Sequence, residues 1–216
     1  MKKEKDLLSR GVVEDFRQVY EDGHFPEEIT FEEFLESHAY FVTVKFHLNR
    51  MSRRQDPTQL LSEFGKYYFQ IVKAAYGNHL DRMIELQPRV WAFVDFEGTR
   101  CPGVIDPSKT CYPHLHGLAV IKPGTKDIFG MVRDGTLIAP NVPAIKEMRF
   151  DPFRRELGSL NDLATYAMKG CFRVSRASAG AQELWQVFPA VSGRKSRSPL
   201  ANERRESEAG CPDRSI

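Results

Sequence analysis

Two histidines one residue apart, His114 and His116, stand in the segment Tyr-Pro-His-Leu-His-Gly-Leu-Ala-Val-Ile-Lys at 112–122. Alternate residues of a strand share a face, which puts the two imidazoles on one side with their Cα atoms about 7 Å apart. Two imidazoles aimed at one spot are what a metal ion needs. Leu118 to Ile121 continue the run as a buried strand and Pro113 excludes a helix, so the pair sits at the strand's rim. With six His in 216 residues, such a pair arises by chance in roughly one chain in six. The functional reading therefore depends on its neighbours.

The neighbours are acidic. Val90 to Phe96 is β-branched and aromatic and reads as a strand, joined to the histidine strand by a loop at 98–111 that contains Gly and Pro. Two strands linked in this way pair antiparallel, which brings Asp95 and Glu97, on one face near the loop, beside His114 and His116. Either carboxylate completes a ligand set for a divalent ion. A rival zinc set of Cys101, Cys111, His114 and His116 fits no common ligand spacing. Farther on, Tyr166 and Lys169 lie three apart on a helix opened by Ser159-Leu-Asn-Asp162, hence on one face. Arg50, Arg53 and Arg54 follow an earlier strand, and Arg173 and Arg176 follow the tyrosine helix. On the histidine side of the molecule, these five would serve as phosphate contacts.

The elements that must position these residues can be taken in order. Residues 4–22 place Leu7, Leu8, Val12, Phe16, Val19 and Tyr20 mostly three or four apart, an amphipathic helix. Thr30-Phe-Glu-Glu opens a second, acidic helix. Residues 1–37 thus form a helical extension in front of the main domain. Tyr40 to Phe46 reads as the first core strand. From Asp56 to Leu80, Leu60, Leu61, Phe64, Tyr67, Tyr68, Ile71, Val72 and Ala75 recur with helical spacing, opened by Pro57 and closed near Gly77-Asn78. This aromatic stripe belongs to a core, since stacking platforms for bases need an exposed sheet or groove. Asp127 to Val132 reads as a short helix. Val142 to Phe150 reads as a strand whose Pro143 marks an edge or a start. Gly170 stops the tyrosine helix, at the place where a left-handed residue is common. The order strand, helix, strand, strand, helix, strand predicts an α+β, ferredoxin-like antiparallel sheet backed by helices on one face.

Composition bounds the partners. A chain that is 41% hydrophobic fills one core, read here as a domain over 38–191. The formal net charge of +2 comes from the tail beyond residue 191, which has six basic and four acidic residues against 25 of each in residues 1–191. Nucleic-acid binding by the core must use a local patch. The tail, 192–216, is rich in Ser, Arg and Glu and reads as disordered. Four irregularly spaced cysteines indicate reduced thiols. The chain lacks an apolar run of membrane-spanning length and a secretory signal. The expectation is a soluble, cytoplasmic protein.

Taken together, the segments resemble the endonuclease domain of rolling-circle replication initiators, the HUH family named for its histidine-hydrophobic-histidine motif. Three motifs carry the resemblance in the family's order: Phe41-Val42-Thr43-Val44, Pro113-His114-Leu115-His116-Gly117 and Tyr166-Ala167-Met168-Lys169. It covers residues 38–176. It implies metal-dependent nicking and joining of single-stranded DNA at an origin or element end, with the 5′ phosphate left on Tyr166 and a free 3′ hydroxyl. The implied cofactor is Mg²⁺ or Mn²⁺ held by His114, His116 and one of Asp95 or Glu97, which polarises the scissile phosphate. The ion also makes up for a phenol being a poor nucleophile at neutral pH. Lys169 would help position the phosphate or the tyrosine. A single tyrosine implies the single-tyrosine subgroup, with strand joining by that residue or by another protomer. The sequence has no Gly-x-x-x-x-Gly-Lys phosphate loop, so a host helicase, with a host polymerase, is the expected partner. A transposase or relaxase of a mobile element would use the same chemistry on different DNA. From another class, a non-catalytic single-strand-binding module would use the same sheet without needing histidines, carboxylate and tyrosine together.

Overall fold

In the computed structural model, the described residues are 2–23, 29–47, 57–78, 84–96, 113–171 and 184–189. Two helices, α1 (Lys2–Asp22) and α2 (Phe31–His38), precede β1 (Ala39–Phe46). Then come α3 (Pro57–Tyr76), β2 (Arg89–Phe96), β3 (Pro113–Val120), α4 (Ile128–Arg133), β4 (Ile145–Pro152), α5 (Leu160–Ala167) and β5 (Trp185–Phe188). The protein is α+β, with one five-stranded antiparallel sheet in the order β4-β1-β3-β2-β5.

Local chemistry accounts for the helix ends. Thr30 and Glu33 form a reciprocal capping box at α2, as Ser159 and Asp162 do at α5, satisfying backbone donors that a first turn leaves unpaired. Asp127 caps α4 by accepting from the Gly130 amide. Gly77, at a φ of 77°, closes α3 in the left-handed region while its amide bonds the Lys73 carbonyl at 2.8 Å. All eight apolar positions expected to form one face of α3 are buried. Of these, Leu60, Phe64 and Ile71 are fully enclosed, each contributing about 1.5–3 kcal/mol by leaving water.

Pairing fixes the two sheet faces. One carries Tyr40, Val42, Val44, Leu115, Ala119, Val90, Val94, Phe150 and Phe188. It is packed by α3, through Phe64 and Tyr68 on Phe188, and by α4, through Phe129 on Tyr40 and Phe150. The opposite face carries Phe41, Thr43, His114, His116, Leu118, Trp91, Phe93 and Asp95. Here the expectation of helices on one face is corrected. Leu118, Trp91 and Phe93 make this side apolar too, and α1 and α5 lie over it. Asp15 of α1 accepts from Trp91 Nε1 at 2.7 Å and pairs with Arg89 Nε at 2.7 Å, while Ser9 donates to Asn161 Oδ1 of α5 at 2.6 Å. Leu8, Val12, Phe16 and Val19 of α1 belong to the same core cluster as the sheet. The helix read as a forward extension is thus a second cover for the sheet.

Two further elements differ from expectation. The strand expected over Val142 to Phe150 is an edge strand that begins at Ile145, with Pro143 in the turn before it, where the Ile145 amide donates back to the Val142 carbonyl. β5 has only four residues and pairs with β2 from across the sequence, beyond the reach of local patterning. Val187, Phe188 and Trp185 pack on the core, and Trp185 stacks on Trp91 with ring centroids 5.5 Å apart and planes 15° from parallel.

Candidate metal and tyrosine site

Asp95 pairs directly with His114 across β2 and β3, and His116 stands between Thr43 of β1 and Phe93 of β2. The three side chains therefore rise from one face at neighbouring ladder positions. His114 Nε2 lies 3.3 Å from Asp95 Oδ2, His116 Nε2 lies 3.7 Å from the same oxygen, and the two imidazoles meet edge-on at 4.7 Å. One ligand atom from each falls within 4.8 Å of the others, so the group could hold a metal ion. The expected strand pairing and shared face of Asp95, His114 and His116 are present as read. Glu97, the other candidate acid, lies outside the described residues, as do Arg50, Arg53, Arg54, Arg173, Arg176, Cys101, Cys111 and the tail.

The electrostatics suit a cation. Burial, reinforced by the neighbouring His114 and opposed by Asp95, lowers the His116 pKa to about 4. Its ring is therefore neutral at pH 7, the form that ligates metal. His116 is 7% exposed and its Nδ1 has no hydrogen-bond partner among the described residues. Its Nε2 is too far from Asp95 for a good hydrogen bond. Two imidazole nitrogens beside one carboxylate oxygen fit a divalent ion.

Tyr166 joins this cluster. Its ring centroid is 5.4 Å from that of His116 and 6.0 Å from that of Phe41, which itself lies 5.3 Å from His116. Residues from β1, β3 and α5, taken from three separated stretches of sequence, thus form one contiguous group. No known family, curated protein or solved structure matches this chain. Among the described residues no helix is long and apolar enough to cross a membrane.

Tyr166 is 44% exposed on the last turn of α5, so the phenol is anchored by its ring yet reachable. Lys169 lies just past the helix end, where its amide bonds the Tyr166 carbonyl at 3.1 Å and its side chain is half-buried. Gly170 corrects another expectation. It is not among the glycines with positive φ. Instead it has no room for a side chain, since a Cβ there would stand 2.7 Å from Asp95 Cα and 2.8 Å from its Cγ. Cys171, fully buried, donates its thiol to the carbonyls of Leu184 at 3.2 Å and Val94 at 3.4 Å. Burial first, and the Asp95 charge second, raise its pKa and keep the thiol protonated. Sequence reasoning assigned neither residue to the site. A Gly just past a tyrosine helix carries a faint signal, and a lone Cys carries none.

Proposed function

We infer that this chain nicks and rejoins single-stranded DNA through a covalent bond to Tyr166, as an HUH-type endonuclease that initiates rolling-circle replication of a plasmid or phage-like element. One observation carries the reading: a reachable tyrosine on a helix packs its ring against a histidine of a two-histidine, one-carboxylate cluster. The donor set alone would suit several divalent ions and several chemistries. The adjacent phenol favours phosphodiester transesterification. The order of elements from β1 to β4, with β3 between β1 and β2, agrees with the ferredoxin-like arrangement that such enzymes use.

In this reading Asp95, His114 and His116 would hold Mg²⁺ or Mn²⁺. The bound ion supplies Lewis-acid polarisation of a phosphate oxygen. The chain's own residues do the rest. Tyr166 oxygen attacks phosphorus and loses its proton, the P–O3′ bond breaks, and the leaving 3′ oxygen takes up a proton, so bonds and protons balance. The 5′ phosphate stays on Tyr166 and conserves the energy needed for joining when a 3′ hydroxyl attacks in turn. Phe41 and His116, adjacent to each other, pack against the phenol ring from one side, which limits the search for an attacking geometry. Lys169 positions the phosphate or the tyrosine. Duplex unwinding and synthesis fall to a host helicase and polymerase.

The test is a labelled pool of random-sequence single-stranded oligonucleotides incubated with the protein and Mn²⁺. A denaturation-resistant adduct that needs the metal is the expected result. Absence of any adduct at high protein concentration would overturn the proposal.

A further inference from the structure

Asp95 is two-sided. Its Oδ2 faces the imidazoles of His114 and His116, while its Oδ1, Cγ and Cα lie against Gly170 in the turn that follows α5. The next residue, Cys171, holds the backbone just before Asp95 by donating to the Val94 carbonyl. The same thiol reaches the Leu184 carbonyl, which also accepts from the Val94 amide at 2.8 Å. Ala164, Ala167 and Met168, which precede this turn, are fully buried. The end of the tyrosine helix and the carboxylate strand are thus closely packed.

We propose that Gly170 and Cys171 are positioning residues that set the carboxylate of Asp95 for one-oxygen ligation and tie it to the helix bearing Tyr166. The inference rests on the reading of Asp95 as a metal ligand. Its physical basis is space and hydrogen bonding. Any side chain at 170 must push either Asp95 or the helix end away, because the nearest atoms include backbone, which cannot swing aside as a flexible side chain would. A packed glycine and a buried thiol donor together fix a ligand to which neither is bonded. Gly170 lies four positions after Tyr166, so a shift that displaces the carboxylate also reaches the nucleophile.

The experiment measures Mn²⁺ affinity of the full chain from the free-ion electron paramagnetic resonance signal, with thermal melting of each metal-free variant alongside. Gly170→Ala should bind at least about tenfold more weakly, a factor equivalent to ~1.4 kcal/mol, and approach the level of Asp95→Asn. Cys171→Ala should also weaken binding, and Cys171→Ser, which keeps a donor, should restore it. A purely structural role would lower the melting temperature and leave the affinity of the folded protein unchanged. That outcome, or wild-type affinity in Gly170→Ala, overturns the inference. Should Gly170→Ala fail to fold, the Cys171 pair decides: equal affinity in Ala and Ser variants overturns it. Failure of the wild type itself to bind Mn²⁺ would sink the underlying metal reading instead, which separates the two failures.

Discussion

The hydroxyl of Tyr166 divides chemistry from packing at this site. Its ring, not its oxygen, makes the contacts with His116 and Phe41, so Tyr166→Phe should change unfolding free energy by no more than about 0.5 kcal/mol. The DNA adduct should fall more than roughly a thousandfold, as read on a denaturing gel, and an undiminished adduct would move the nucleophile to another tyrosine. His116 makes a prediction of a different kind. Its folded pKa of about 4 lies below the ordinary 6.5, so as pH falls through this window the unfolded chain takes up a proton that the folded chain refuses. The metal-free protein should lose stability between pH 6.5 and 4, with no further loss from this group below 4. Urea midpoints at several pH values would show it, and His116→Gln should flatten the slope. The histidine pair and Asp95 were legible because a period of two is a strand's own signature. Gly170 was not, since a glycine that makes room for a distant carboxylate looks in sequence like one that ends a helix.

At the scale of elements, α1 shows how local pattern reveals a helix but not its partner. Its apolar stripe was readable, yet what it covers depends on Trp91 and on α5, about 75 and 150 residues away. Asp15 is its main polar tie to the sheet. Burial raises the pKa of this carboxyl, against the lowering effects of Arg89 and Trp91, so it is held where it is partly desolvated. Asp15→Ala strands the Trp91 indole N–H and the Arg89 guanidinium and should cost about 1–3 kcal/mol in urea unfolding. Asp15→Asn keeps an acceptor and should cost less; equal losses would show that packing, not the polar tie, seats the helix. The four-residue β5 escaped detection for the opposite reason. Its stability comes from pairing with β2 and from stacking on Trp91, and almost none of it is local.

For the molecule as a whole, the packing of the tyrosine helix restricts which chain can supply the nucleophile. α5 is fastened to α1, to β3 and, through the turn after it, to Asp95. A tyrosine held this firmly should serve the metal site of its own chain. Mixing a His114→Ala, His116→Ala protein with Tyr166→Phe protein should therefore restore no adduct, and recovery would show that helices exchange between copies. The same fastening has an optical consequence. The chain has two tryptophans, and both stand in one stack on β2 and β5, with the indole N–H of Trp91 bonded to Asp15 of α1. Emission excited selectively from tryptophan thus originates at a single corner, since α3 and α4 contain no indole. If α1 lifts away while the sheet holds, the fluorescence should shift to the red before any helical circular dichroism of α3 is lost.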